Sequence, residues 1–210
     1  MSEPKTVARA ASEIVPGLFH FKIADERIKA QSDAYALVRG GRVVLIDPVP
    51  LEPAQLARLG RVEAVVLGSP SHQRSAWRYR REFNAKVHAP EGGSDLDEKP
   101  DATYRDGDSL PGGIRALHAP GPGHAHHVFH FTGEPGVLLC TDLWHVTGTG
   151  VEFLPDKYLS DPATARDSAR RLLEVDFDVL CFGHGDPILK GGRKVVSELV
   201  KREAAARKKK

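Results

Sequence analysis

Apolar residues in this chain fall mostly in short runs of four to six, and only a few segments carry the wider spacing of an amphipathic helix. Residues 14–23 alternate loosely around Pro16-Gly17, which predicts an early hairpin. The β-rich runs Ala34-Tyr35-Ala36-Leu37-Val38 and Val43-Val44-Leu45-Ile46 flank Arg39-Gly40-Gly41-Arg42, and a Gly-Gly turn between such runs predicts a second hairpin. Its second strand ends at Asp47-Pro48, because proline has no N–H for the ladder. A short helix over 53–59 and a buried strand over 62–67 follow, the latter from its β-branched content. Residues 76–83 read as a helix with an arginine-rich outer face, and 86–89 as a short strand. Residues 91–108 are polar and turn-rich, a loop leading into another hairpin. Strands are predicted over 114–118, 127–131, 136–140 and 179–182. Asp161-Pro162 starts an amphipathic helix over 163–174, and a last helix spans 193–206. Strands outnumber helices, and the helices separate groups of strands, so the expected fold class is α/β with sheets inside and helices outside.

Composition adds bounds. The 210 residues suit one domain (1–210), with a core over about 14–188 and a C-terminal helix and basic tail over 193–210. A hydrophobic content of 40% and a charged content of 28% are ordinary for a soluble globular protein. A net charge of +2 is too small to imply a polyanionic partner, so no nucleic acid is expected. The basic residues of 201–210 read as a solvated helix end, or as a tether to nucleic acid or a membrane surface. Cys140 and Cys181 lie in apolar runs and suit small buried core residues rather than a disulfide framework. No signal peptide or run of membrane-spanning length stands out, so the expected location is the cytoplasm, with no membrane partner.

The residues that carry chemistry stand at strand ends. His124 follows the rigid turn Pro120-Gly121-Pro122-Gly123; Asp142 ends an apolar strand; His184 ends another between Gly183 and Gly185. Two imidazoles and a carboxylate placed in this way can converge on a divalent ion. His126, His127 and His130 follow His124, with His118 before it. Such a run suits a polar strand edge, with recruitment of one as a replacement ligand the alternative. Trp144 and His145 suit either a pocket mouth or loop packing, and His20 and His88 read as structural.

With Leu45-Ile46-Asp47, Pro122-Gly123-His124, Asp142 after its apolar strand and Gly183-His184-Gly185 in this order, the sequence resembles the metallo-β-lactamase superfamily from about residue 14 to 188. The resemblance implies a four-layer αββα sandwich of metallo-β-lactamase type, a metal-dependent hydrolase activity, and Asp47 as a support behind the ligands. The match fails at one place. The family's first ligand cluster, His-x-His-x-Asp-His, aligns with Ser69-Pro70-Ser71-His72-Gln73-Arg74, which puts serines at the first two histidines, Gln73 at the aspartate and Arg74 at the last histidine. His72 falls at a spacer position.

Three readings of this half-kept site follow. In the leading one His124, Asp142 and His184 hold a single divalent ion, zinc first and iron or manganese next, with His72 a fourth ligand if the loop is rearranged. The protein then hydrolyses a small ester, thioester or related bond in a small-molecule substrate. Asp142, His72 and Arg74 are its catalytic residues, and Arg74 or His72 steadies the developing anion. In the second reading Arg74 replaces the missing metal charge and holds an anion. In the third the pocket is a relic without metal, and the protein is a catalytically inactive module binding a small molecule or protein. The sequence carries no signal for the substrate or the oligomeric state.

Overall fold

The computed structural model describes residues 3–207; Lys208, Lys209 and Lys210 of the expected basic tail lie outside the described residues. The chain opens with β1 (Ser12–Val15), β2 (Leu18–Asp25), β3 (Ala30–Arg39) and β4 (Arg42–Ile46), an antiparallel meander. Its third turn places Gly40 and Gly41 at φ 56° and 72°, the left-handed pair that a two-residue hairpin turn of matching twist requires. α1 (Pro53–Leu59) then leads to β5 (Arg61–Val66), and α2 (Ala76–Phe83) leads to β6 (Lys86–Pro90) and β7 (Ala102–Tyr104). These three strands add in parallel, completing a seven-stranded sheet in chain order β1 to β7.

The second half begins with β8 (Ser109–Leu110), β9 (Ile114–His118), β10 (His127–Phe131) and β11 (Val137–Leu139). A separate hairpin of β12 (Trp144–Thr147) and β13 (Gly150–Phe153) follows, then α3 (Pro162–Leu172), β14 (Val179–Cys181) and α4 (Gly192–Arg207). The second sheet has the order β14-β11-β10-β9-β8, with β14 parallel to β11. Helix α3 starts where its sequence signal places it: the Asp161 carboxylate accepts from Ala163 N and Thr164 N, a cap worth about 1 kcal/mol.

Three apolar layers hold these elements together. Leu56 of α1 and Trp77 and Tyr79 of α2 pack with Phe21, Val43, Leu45 and Val65 on the outer face of the first sheet. Leu37, Val44, Ile46 and Val66 meet Phe129, Leu139, Val179 and Cys181 between the sheets. Ala165, Ala169 and Leu172 of α3, with Val196 and Leu199 of α4, cover Val128, Leu138 and Leu180 on the outer face of the second. The period-2 alternation of β4 and β11 distributes their side chains between the layers. The result is the expected αββα sandwich. Among the described residues no helix is long and apolar enough to cross a membrane.

Two segments differ from the sequence reading. The polar stretch 91–108 contains β7, paired to β6 along Ala89 and Thr103. The β12–β13 hairpin escaped notice because half of its alternation is hidden: Val146 points to solvent at 38% exposure while Trp144, Val151 and Phe153 turn inward.

Candidate metal centre

The site lies where the first sheet meets loops hanging from the second. β4 ends at Asp47, β5 runs into Gly68, and a single 3₁₀ turn over Pro70–His72 follows. Three non-glycine residues here, Asp47, Arg74 and Thr141, have φ of 47°, 32° and 52°. Such left-handed backbone is costly for any side chain, most of all for β-branched threonine, and its clustering marks a place where the fold over-determines local geometry.

That turn brings the spacer residue inward. His72 is 3% exposed, and its Nδ1 donates to Asp47 Oδ2 at 2.9 Å. The second Asp47 oxygen accepts Gly68 N–H at 2.8 Å, so the carboxylate fixes both loop and ring. With Nδ1 carrying a proton, the Nε2 lone pair of His72 faces Asp142 Oδ1 at 3.0 Å. Gly183 makes the close approach possible, since a Cβ there would stand 2.9 Å from His72 Cε1 and 2.7 Å from Thr141 O.

His184 enters from the other side. Its Nδ1 donates to Gln31 O at 2.6 Å, leaving the Nε2 lone pair 3.3 Å from the same Asp142 oxygen. Asp142 Oδ1 is buried and receives no well-directed hydrogen bond. Three electron-rich atoms therefore converge: two imidazole nitrogens and a carboxylate oxygen, all within 4.8 Å of one another. Burial opposes ionisation of Asp142, but the His72 and His184 imidazoles outweigh it and hold the carboxyl well below its ordinary range. For His72, burial and the Arg74 guanidinium push the pKa down, and Asp142 and Asp47 more than reverse this, for a net rise. This convergence calls for a proton or a cation in its midst.

Arg74 lies behind this cluster and is 4% exposed. Its Nη1 donates to the carbonyls of Asp33 (2.7 Å) and Asp47 (3.0 Å), and its Nη2 to His72 Nε2 (3.2 Å) and Gly183 O (3.5 Å). It is a buried internal cation, and these contacts leave it no free fork for an anion from solvent, against the second sequence reading. Burial lowers its pKa while Asp47, Asp142, Asp33 and Asp25 pull it back up.

His124, expected as a ligand, stands apart. It is exposed, its Nε2 bonds Gly92 O at 2.8 Å, and it is absent from the convergent group. The Pro120-Gly121-Pro122-Gly123 turn directs it toward the 92–95 loop rather than toward Asp142. Neighbouring histidines are occupied as well. His126 donates from Nδ1 to Ala119 O at 2.7 Å and accepts Asp142 N–H on Nε2 at 3.2 Å, so both ring nitrogens are used only in the neutral form. Accordingly burial pushes its pKa down to about 4. His127 and His130 bond the carbonyls of Ala125 and Asp176. Gln73, aligned with a family ligand, is a brace: its Oε1 accepts from Trp77 Nε1 and Asp97 N, each at 2.7 Å.

The sequence reading missed Asp33. This fully buried residue of β3 accepts Gly185 N–H at 2.7 Å and pairs with His20 Nε2 at 2.6 Å. Its backbone N–H donates to Gly183 O at 2.9 Å, and its carbonyl takes Arg74. The signal is faint: Gln31-Ser32-Asp33 directly precedes the apolar run 34–38, and only its burial shows that this carboxylate needs a full set of partners.

A divalent ion fits these residues. The carboxylates of buried Asp25, Asp33 and Asp47 and of partly buried Asp142 outnumber the guanidinium groups near them, buried Arg74 and partly buried Arg27, so a cation is not opposed by the local charge. The His72–Asp142–His184 donor set is of the imidazole–carboxylate kind that holds zinc or iron.

Comparison with known proteins agrees. The sequence model of a family described as the metallo-beta-lactamase superfamily matches residues 11–203. No curated protein matches the sequence significantly. Among solved structures, the chain is similar to a metallo-beta-lactamase family protein from Thermus thermophilus, with TM-score 0.70 at 20% identity, over 92% of this chain and 81% of that one. It is similar to a metallo beta lactamase from Hirschia baltica, with TM-score 0.68 at 13% identity over 93% and 97%. An archaeal superfamily protein from Sulfolobus tokodaii gives TM-score 0.62 at 16% identity over 81% and 79%. At these identities the likeness is one of fold.

Proposed function

Because the chain belongs to the metallo-β-lactamase superfamily, we propose that it is a metal-dependent hydrolase of a small ester, thioester or related bond, built around one ion. His72, Asp142 and His184 would hold that ion; His124, the ligand the sequence suggested, is replaced by His72. The observation that carries the reading is the buried, unbonded Asp142 Oδ1 faced by two imidazole lone pairs at 3.0 and 3.3 Å. When bound, a divalent ion supplies Lewis-acid chemistry that activates water and polarises a carbonyl.

The chain's own residues do the positioning. Asp47 and Gln31 fix the tautomers of His72 and His184, so that each presents Nε2 inward. Asp142, kept ionised by the two imidazoles, presents Oδ1 as the carboxylate donor of the set. Arg74 acts through His72, as a fixed cation behind it, rather than on substrate. The partner is a small molecule. Two buried free thiols, Cys140 and Cys181, suit the reducing cytoplasm.

One observation favours a second reading, a metal-free binding module: the Arg74 Nη2 group already lies 3.2 Å from His72 Nε2 and supplies positive charge there. Elemental analysis of untagged protein, followed by an ester and thioester screen, separates the two. About one ion per chain, with turnover lost in His184→Ala at unchanged fold, supports the hydrolase. No ion after incubation with excess zinc, iron and manganese overturns it.

A further inference from the structure

Beside the centre lies a cavity of about 410 Å³, within the size range of small-ligand sites. Three loops enclose it, and each is tied to another. His124 Nε2 bonds Gly92 O, Gln73 Nε2 donates to Asp95 O at 3.1 Å, and Gly93 sits so close to Pro70 that a Cβ would come within 2.8 Å of its Cγ. These bonds tie the loops into a pre-formed cavity rather than a collapsed gap. Asp95, on its rim, adopts φ 67°, a strained backbone held by these contacts. The cavity adjoins the centre through His126, one of its walls, whose Nε2 accepts Asp142 N–H.

Its lining chemistry is specific. Ser69, Ser71 and Ser94 contribute hydroxyls, and Ser69 Oγ and Ser71 Oγ lie 2.8 Å apart, one donating to the other. That pair keeps one hydroxyl hydrogen and several lone pairs for a ligand. Among the described residues lining the cavity there is no lysine or arginine, while Asp95 adds a carboxylate. A phosphate or carboxylate would meet no guanidinium or ammonium group and one like charge. An uncharged group with both donors and acceptors would meet matched partners.

We propose that this cavity binds an uncharged hydroxyl- or amide-bearing portion of the substrate, next to the bond that the His72–Asp142–His184 centre acts on. The inference rests on the proposed hydrolase reading for its role, but the binding it asserts does not depend on a metal.

Gly123 offers the test. It lines the cavity, its φ lies outside the left-handed range, and an added Cβ would meet nothing within 4 Å, so Gly123→Leu adds bulk at the cavity wall without backbone strain. Saturation-transfer NMR on chelator-treated protein would use four probes: glycerol, N-methylacetamide, inorganic phosphate and acetate. The expected result is transfer to the first two and not the anions, reduced about tenfold in Gly123→Leu, which corresponds to about 1.4 kcal/mol. Ser71→Ala, at an exposed position, gives the same direction of change should the leucine variant fail to fold. Equal binding of the anions, no binding of either neutral probe, or binding unaffected by both substitutions would overturn the proposal. Because the readout needs neither ion nor turnover, it can fail while the hydrolase reading stands, and the reverse.

Discussion

His72 Nδ1 donates to Asp47 Oδ2 at 2.9 Å, and through this bond a residue from a spacer position becomes one of the two histidines facing Asp142 Oδ1. The bond fixes which nitrogen carries the proton, and so which one presents its lone pair toward Asp142 and Arg74. Replacing the carboxylate by an amide, Asp47→Asn, keeps the size but weakens that choice. A loss of zinc affinity of roughly 10- to 100-fold is expected, the usual cost of losing such a support, measured by competition with a chromophoric chelator. Unchanged affinity would show that His72 is not a ligand.

His124 separates the sequence alignment from the geometry. His124→Ala is expected to leave the metal content at about one ion per chain, whereas His72→Ala and His184→Ala each abolish it. Elemental analysis of the three variants decides. Loss of metal in His124→Ala alone would restore the ligand set that the sequence motif suggested.

Arg74 is expected to matter for stability before it matters for catalysis. Arg74→Met leaves the carbonyls of Asp33 and Asp47 without their donor and removes the cation beside the buried carboxylates. Removing one partner of a buried charged network costs roughly 3–5 kcal/mol. Urea denaturation of metal-free protein should show that loss as a lower midpoint, and a change below about 1 kcal/mol would contradict the buried-cation assignment.

One component of the pH dependence of the metal-free protein comes from His126, opposed by His72, whose raised pKa adds stability that is lost as pH rises. The folded His126 pKa of about 4 lies below the ordinary 6.5, so between these values the unfolded chain binds the extra proton. The His126 contribution to stability therefore rises with pH across that window and is lost as pH falls from 6.5 toward 4, by an amount on the order of 3 kcal/mol. The conservative variant His126→Gln, which keeps a donor and an acceptor, is expected to flatten this slope. Thermal unfolding from about pH 4 to 7 measures both.

Much of the fold was legible because its signals are local. The Gly40-Gly41 turn, the Asp161-Pro162 helix start and the apolar runs of β4, β11 and β14 each specify one element without reference to the rest. The site was legible only where a residue stands at a strand end. Asp142 and His184, expected on that ground, do come together in the convergent group. His72 is expected from sequence only as a catalytic residue or a conditional fourth ligand, because its orientation depends on a 3₁₀ turn and on a carboxylate 25 residues away. His124 was assigned to a site it does not reach, because a motif fixes a residue's place in the chain but not the partner its ring will choose, here Gly92 O.

Asp33 has a wider consequence. From the first sheet it grips the loop after β14 of the second through Gly183 O and Gly185 N–H, beside His184 and Arg74. The candidate ligand group and its supports thus straddle a seam: Asp47 and Gln31 belong to the strands of one sheet and their ends, Asp142 and His184 to the strand ends of the other. An ion held there would act as a rivet between the two halves of the sandwich, and its occupancy would set how often they part. Protection of the amides on both sides of that seam should rise together when the metal is added. A rise on one side alone would show that the two halves open independently.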